Sequence, residues 1–183
     1  PAAPTAFLTP ESLKLLTRLT KRKGKVEIEL ELAGVTGATR VQAYNTLAEI
    51  RGSERPEEIV LLGAHLDSWD LGSGATDNGT GVAAVMEALR AIKASGLAPR
   101  RTIRVALFSG EEQGLYGAEA YVKAHGQELP NHQAVLIHDG GSGKVRGWSL
   151  QGREEMALWQ QEIRAWLEKS LKQSRGRRVK WLS

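Results

Sequence analysis

The chain has 183 residues, 41% of them hydrophobic and 25% charged, an ordinary balance for a globular domain with one substantial core. It has no Cys, so disulfide bonds and thiolate metal sites are excluded, and no apolar run approaches the roughly 18 residues of a membrane span. The net charge of +4 is local: Lys169, Lys172, Arg175, Arg177, Arg178 and Lys180 follow the last acid, Glu168, and setting those six aside leaves 19 basic against 21 acidic residues. No stacking aromatics or recognition motif accompany the basic tail at 174–183, so it reads as a solvated end and no nucleic-acid partner is expected. No signal peptide is visible, and the first residue is Pro1 rather than Met.

Thr9 and Pro10 predict a helix start, a hydroxyl cap followed by Pro at the first helical position. Leu13, Leu16 and Leu19 give that helix an apolar stripe, and KRKGK at 21–25 ends it. Next, Val26, Ile28, Leu30 and Leu32 alternate with Glu27, Glu29 and Glu31, which predicts a strand with one wet face. A turn at GVTG should lead to a second strand in VQAYNTLAEI, paired with the first, and SERPEE reads as a polar turn. IVLLGA at 59–64 predicts a strand buried on both faces. From Gly81 the spacing of Val82, Val85, Met86, Leu89 and Ile92 is helical, ending near Gly96. TIRVALFS predicts another strand, EEQGLYGAEAYVKAHG starts a helix, and QAVLIH reads as a third buried strand. A last helix, from Glu154 to about Leu171, should bury Met156, Trp159, Ile163, Trp166 and Leu167. The order predicts an α/β three-layer sandwich with a mixed, mostly parallel sheet. Residues 1–24 read as the trailing end of a preceding domain or a linker, 25–173 as the core, and 174–183 as a tail.

In such a sheet, ligands bind outside the carboxyl ends of the parallel strands. His65 and Asp67 follow the first of these strands, Glu111 and Glu112 the second, and Asp139 the third, while Asp77 precedes the helix that begins near Gly81. So many carboxylates at one edge repel one another unless protons or a cation intervene. Imidazole with carboxylate oxygen is a ligand set for Zn²⁺, with Mn²⁺ or Co²⁺ as neighbours. There are more carboxylates than one tetrahedral ion needs, which points to two metals sharing a bridging carboxylate. The neighbours Glu111 and Glu112 cannot face one ion in the same way, so one fits a ligand role and the other a general base.

Each acid also has a plainer reading. Asp77 could close a turn with Thr80 as the helix cap, and Glu111 and Glu112 could face the positive end of the next helix. His138 resembles a ligand in composition, but the alternating pattern turns it away from Asp139. Taken together at three strand ends, the acids favour the metal. Other chemistries fit less well. GSGATDNG lacks the third Gly of a dinucleotide fingerprint, there is no Walker lysine, Leu107 stands where a nucleophile elbow around Ser109 needs Gly, and no HExxH helix occurs. Asn78-Gly79-Thr80 is a formal glycosylation sequon, but a glycan beside a metal ligand would be disruptive.

GAHLDSWDLGSGATDNGTG, FSGEEQGLYGAEAYV and LIHDGG, in this order and spacing, resemble the dinuclear zinc peptidases that include secreted aminopeptidases, glutamate carboxypeptidase and carboxypeptidase Q. HLDSWD looks most like the carboxypeptidase Q branch, in which a protease-associated domain precedes the catalytic part. The resemblance covers about residues 45–151. It implies that His65 and Asp139 hold one Zn²⁺, that Glu112 holds the other, and that Asp77 bridges the two. It further implies that Asp67 fixes the His65 tautomer by accepting its second ring N–H, and that Glu111 is the general base. The implied activity is exopeptidase hydrolysis of a peptide or dipeptide, secreted or periplasmic, with homo-oligomers among the possible assemblies. The end of the chain departs from the pattern, because the family's fifth ligand is a late His and no His follows Asp139. The expectation is therefore a sheet incomplete at its C-terminal end and a weakened second metal, with an inactive fragment or a non-catalytic binding relative as the alternative.

Overall fold

The structure, a computed structural model, describes residues 6–31, 33, 37, 40–143, 147 and 149–174, without the side chains of 167, 168 and 170–174. Residues 34–36 of the turn expected at GVTG, Leu32, the Leu167 side chain and the tail from Arg175 onward lie outside the described residues. The chain divides into two units, Pro1–Gln42 and Ala43–Ser183.

The first unit holds helix α1, Pro10–Lys23. Its start is as expected: the Thr9 hydroxyl oxygen accepts the Ser12 N–H at 3.2 Å, meeting one of the donors a helix start leaves unpaired. Gly24, at φ 74°, ends the helix and donates its N–H to the Thr20 carbonyl at 2.8 Å. The strand expected over 26–32 does not form in its described part, where residues 25–31 carry no ladder. Alternation supplies an apolar face, but a strand also needs a neighbour for its N–H and C=O groups. The expected neighbour is used elsewhere.

In the second unit, β1 (Thr46–Ile50), β2 (Arg55–His65), β3 (Arg101–Phe108) and β4 (His132–Ile137) form one sheet in the order β1-β3-β2-β4. β1 runs antiparallel to β3, whereas β3 and β4 both run parallel to β2, so the sheet is mixed and mostly parallel. β2 starts earlier than expected, at Arg55 inside the supposed turn. Arg55 pairs with Arg101, and an irregularity before Ile59 absorbs Pro56, whose missing N–H a regular ladder would not tolerate.

Helices cover both faces. Along β2 and β3 the side chains alternate. Leu61, Ala106 and Phe108 pack with Tyr121 of α3 (Tyr116–Ala124), and Ala64, Val105 and Leu107 pack with Val85 of α2 (Gly79–Ala94). These two small clusters make the described core, at about 1.5–3 kcal/mol for each large apolar side chain fully buried. Met86, expected on the buried stripe of α2, is 54% exposed, because the face that meets the sheet is narrower than the apolar spacing.

β4 departs from expectation. It is an edge strand among the described residues, with Val135 and Ile137 exposed, rather than a strand covered on both sides. The last helix, α4 (Met156–Ser174), starts two residues later than expected. Met156, Trp159 and Ile163 are half-buried and Trp166 is 66% exposed, so the apolar periodicity is present without full cover.

Candidate active site

The register brings the acids to one edge. His65 is the last residue of β2 and pairs with Phe108, the last of β3, while Gly63 pairs with Ile137 at the end of β4. Residues that leave those ends therefore start from the same level. His65 is buried, at 3% exposure, and its Nε2 lies 3.0 Å from Asp139 Oδ1 and 3.1 Å from Asp77 Oδ1. His65, Asp77 and Asp139 form one group able to hold a cation, and His65, Glu111 and Glu112 form a second.

The other face of the imidazole fixes its tautomer. Nδ1 lies 2.9 Å from the main-chain carbonyl of Asp67, an atom that can only accept, so Nδ1 carries a hydrogen and Nε2 is the nitrogen that faces the acids. The accepting atom is the Asp67 main-chain carbonyl, while the Asp67 carboxylate Oδ1 stands 3.7 Å from Nδ1. That carboxylate is engaged elsewhere. It accepts the backbone N–H of Glu111 on Oδ1 and that of Glu112 on Oδ2, each at 3.0 Å. Asp67 thus ties the turn after β3 to the end of β2. The amides it takes precede α3, so Glu111 and Glu112 stand in a turn before that helix rather than in its first turn.

Asn78 is a residue whose role the sequence did not reveal. It is 2% exposed, it caps α2 in place of Thr80 by accepting the Gly81 N–H at 3.1 Å, and it donates Nδ2–H to the His138 carbonyl at 2.8 Å. One side chain therefore clamps the loop carrying Asp77 to the strand end carrying Asp139. Gly81 is required beside it, since a Cβ there would sit 2.3 Å from Asn78 Oδ1 and 2.4 Å from the His138 carbonyl oxygen. The available signal was that Asn is as good a cap as Thr. His138 is in neither cation-holding group, and its Nδ1 is buried without a partner. The Ser109 hydroxyl donates to the Tyr44 carbonyl at 2.6 Å, which is a structural use.

The electrostatics follow from this crowding. Burial alone would lower the His65 pKa, but the Asp139 bond, the Asp67 carbonyl and the surrounding carboxylates outweigh it and hold it above its ordinary value. Burial would raise Asp67, but the two backbone N–H donors from Glu111 and Glu112 pull it below the usual carboxylate range. Glu111 is pushed up by burial first, and then by Asp139, Glu112 and Asp67 against the opposing pull of His65. A carboxyl with raised proton affinity beside a water-accessible cluster suits a general base.

The donor set fits a metal. Glu112 Oε1 is buried with no hydrogen-bond partner, a costly state for a carboxylate oxygen that a cation would relieve. Two carboxylate oxygens also crowd one Nε2, which can satisfy both only by carrying a proton or by yielding to a shared cation.

A family profile described as peptidase family M28 matches residues 45–177, and the chain belongs to that family. It is 40% identical over 163 residues to carboxypeptidase Q of Xenopus laevis, covering 89% of this chain and 34% of that protein. Carboxypeptidase Q of Homo sapiens is 38% identical over 168 residues, covering 92% of this chain and 35% of the human protein. The chain thus spans about a third of the length of the curated relatives it matches. Among solved structures, a peptidase M28 precursor from Shewanella amazonensis SB2B superposes with a TM-score of 0.55 at 48% identity, over 56% of this chain and 23% of that one.

Proposed function

We propose that the chain carries the catalytic centre of a metal-dependent exopeptidase, of aminopeptidase, dipeptidase or carboxypeptidase type, acting on peptides. The observation that carries this reading is the buried, unpartnered Glu112 Oε1 in the same cluster as a His65 Nε2 flanked by Asp77 and Asp139. In it, His65 and Asp139 would hold one Zn²⁺, Glu112 would hold a second, and Asp77 would serve both, with Mn²⁺ or Co²⁺ as alternatives. When bound, such ions supply Lewis acidity to a scissile carbonyl and make water a competent nucleophile near neutral pH.

The protein's own groups have separate tasks. The Glu111 carboxylate accepts a proton from the attacking water and delivers it to the leaving amine nitrogen, and its raised proton affinity suits both directions. Asp67 holds the Glu111 and Glu112 backbone in place, and its own carbonyl orients His65. Asn78 keeps Asp77 and Asp139 in register. The family resemblance supports a secreted or periplasmic site of action, and no described helix is long and apolar enough to cross a membrane.

Calorimetric titration with Zn²⁺, beside an Asp77→Asn variant, tests the reading. One tight ion and a second, weaker one are expected for the native sequence, since no His follows Asp139 to complete the Glu112 site, with both weakened in the variant. No binding, or binding that Asp77→Asn leaves unchanged, would overturn it.

A further inference from the structure

A pocket of about 320 Å³ opens beside the acidic cluster, between the 68–77 loop and Glu112. Its two lining acids, Asp77 and Glu112, are residues to which the proposed function assigns metals. The rest of its wall is Trp69 and small uncharged residues, with no Lys or Arg. Trp69 is 66% exposed, so its indole is available to a ligand. The loop is held in shape by its own backbone: the Gly72 N–H donates to the Trp69 carbonyl at 3.1 Å and the Gly79 N–H to the Gly74 carbonyl at 2.7 Å. Gly74, at φ 63°, lets the loop fold back, and a Cβ there would lie 2.9 Å from the Ser68 side chain.

We propose that this pocket receives the substrate side chain next to the scissile bond, with Trp69 as its apolar wall, so that aromatic and large apolar side chains are preferred and acidic ones refused. The inference rests on the metallopeptidase reading, because only then does the reacting carbonyl lie beside Asp77 and Glu112. The volume is at the low end of the roughly 300–1,000 Å³ of small-molecule sites, which suits one side chain rather than several. An indole face rewards apolar contact. A carboxylate side chain would meet no cationic side chain in the wall.

The test is binding of amino-acid hydroxamates, which chelate zinc and carry a chosen side chain, to the zinc-loaded full chain by calorimetry. Phenylalanine hydroxamate is expected to bind about tenfold more tightly than glycine hydroxamate, and glutamate hydroxamate no more tightly than glycine. In Trp69→Ala the phenylalanine advantage should fall to about twofold, while zinc binding and glycine hydroxamate affinity stay unchanged. Trp69→Phe should keep most of the advantage. In an NMR titration the Trp69 indole N–H, assigned by its loss in Trp69→Phe, should shift with the phenylalanine ligand and not with glycine.

Side-chain discrimination that survives Trp69→Ala, or a native chain that shows none, overturns the pocket and leaves the metal site standing. A Trp69→Ala variant that loses all three ligands equally also overturns it, since the loop would then be shaping the site rather than selecting a side chain. A chain that binds neither zinc nor any hydroxamate overturns both readings.

Discussion

Two parts of the second unit gather charged and titratable groups, and they are built on opposite rules. Around Arg104 of β3, which is 8% exposed, the two acids that meet the guanidinium are both paired with it. The Arg104 guanidinium donates Nε–H to Glu49 and donates from Nη1 to Glu128 and to the Tyr121 hydroxyl, the last two at 2.7 Å. The Tyr121 hydroxyl lies 2.9 Å from His132 Nε2 and the His125 ring stacks on the Tyr121 ring, so the cation, the aromatics and the acids close on one another. At the carboxyl ends of the strands, five acids gather around one His and a carboxylate oxygen is left buried without a partner. In the first arrangement the acids that meet the cation are paired with it; in the second they outnumber the protein's own cationic partners, and that difference separates a structural network from a candidate site more sharply than the number of charges does.

The largest expected effect comes from removing the proposed proton carrier while leaving the proposed metal ligands. Glu111→Gln should bind Zn²⁺ with near-native stoichiometry but lower peptide hydrolysis by about 10²–10⁴-fold, the range for losing a positioned general base. Zinc calorimetry paired with a dipeptide assay checks it. Loss of zinc in this variant would make Glu111 a ligand instead.

Arg104→Met attacks the paired network. It should cost about 2–3 kcal/mol in urea denaturation, below the roughly 3–5 kcal/mol for breaking a buried ion pair, because Glu49 and Glu128 are 41% and 44% exposed and can rehydrate. Zinc stoichiometry should not change. Asp67→Ala attacks the opposite end by freeing the Glu111 and Glu112 amides. It should weaken zinc about 10–100-fold, the usual effect of losing a partner that holds a ligand in place. Stability without metal should move much less than in Arg104→Met, which would confirm that the two regions are coupled weakly.

The candidate site was legible in the sequence because its signal is local. Each short apolar run names a strand, and the acids just past the ends of those runs fall at one edge whatever the strand order. The pairings were not legible. VEIELEL alternates as a strand does, yet the partner of β1 is β3, some 55 residues away in sequence, and local alternation cannot choose between neighbours. The cap of α2 was not legible for a similar reason. Asn78 and Thr80 are chemically equivalent caps, and only the nearness of the His138 carbonyl, set by the β2–β4 pairing, selects Asn78. Asp67 was recognised, but backbone donors across the sheet edge redirected its carboxylate from His65 to the amides of Glu111 and Glu112.

The smallest expected effect is a difference in sign. The hydrogen bond from Arg104 holds the Glu128 pKa below the usual range, so its contribution to stability is present above the unfolded-state pKa and is lost as pH falls through the folded one. Glu128→Gln should therefore lower stability at neutral pH by less than about 1 kcal/mol, since the carboxylate is 44% exposed, and the deficit should vanish in acid. Glu111 has its pKa raised, mainly by burial, so its ionised form opposes folding above the folded pKa and that opposition is relieved as pH falls. Metal-free Glu111→Gln should accordingly be slightly more stable than the native chain at neutral pH, with the gain shrinking in acid. Urea midpoints measured across pH in a chelator decide it. Opposite signs at neutral pH mean that one acid is stabilised by the fold and the other is held against its preference, whereas matching signs would place Glu111 in an ordinary structural network like that of Arg104.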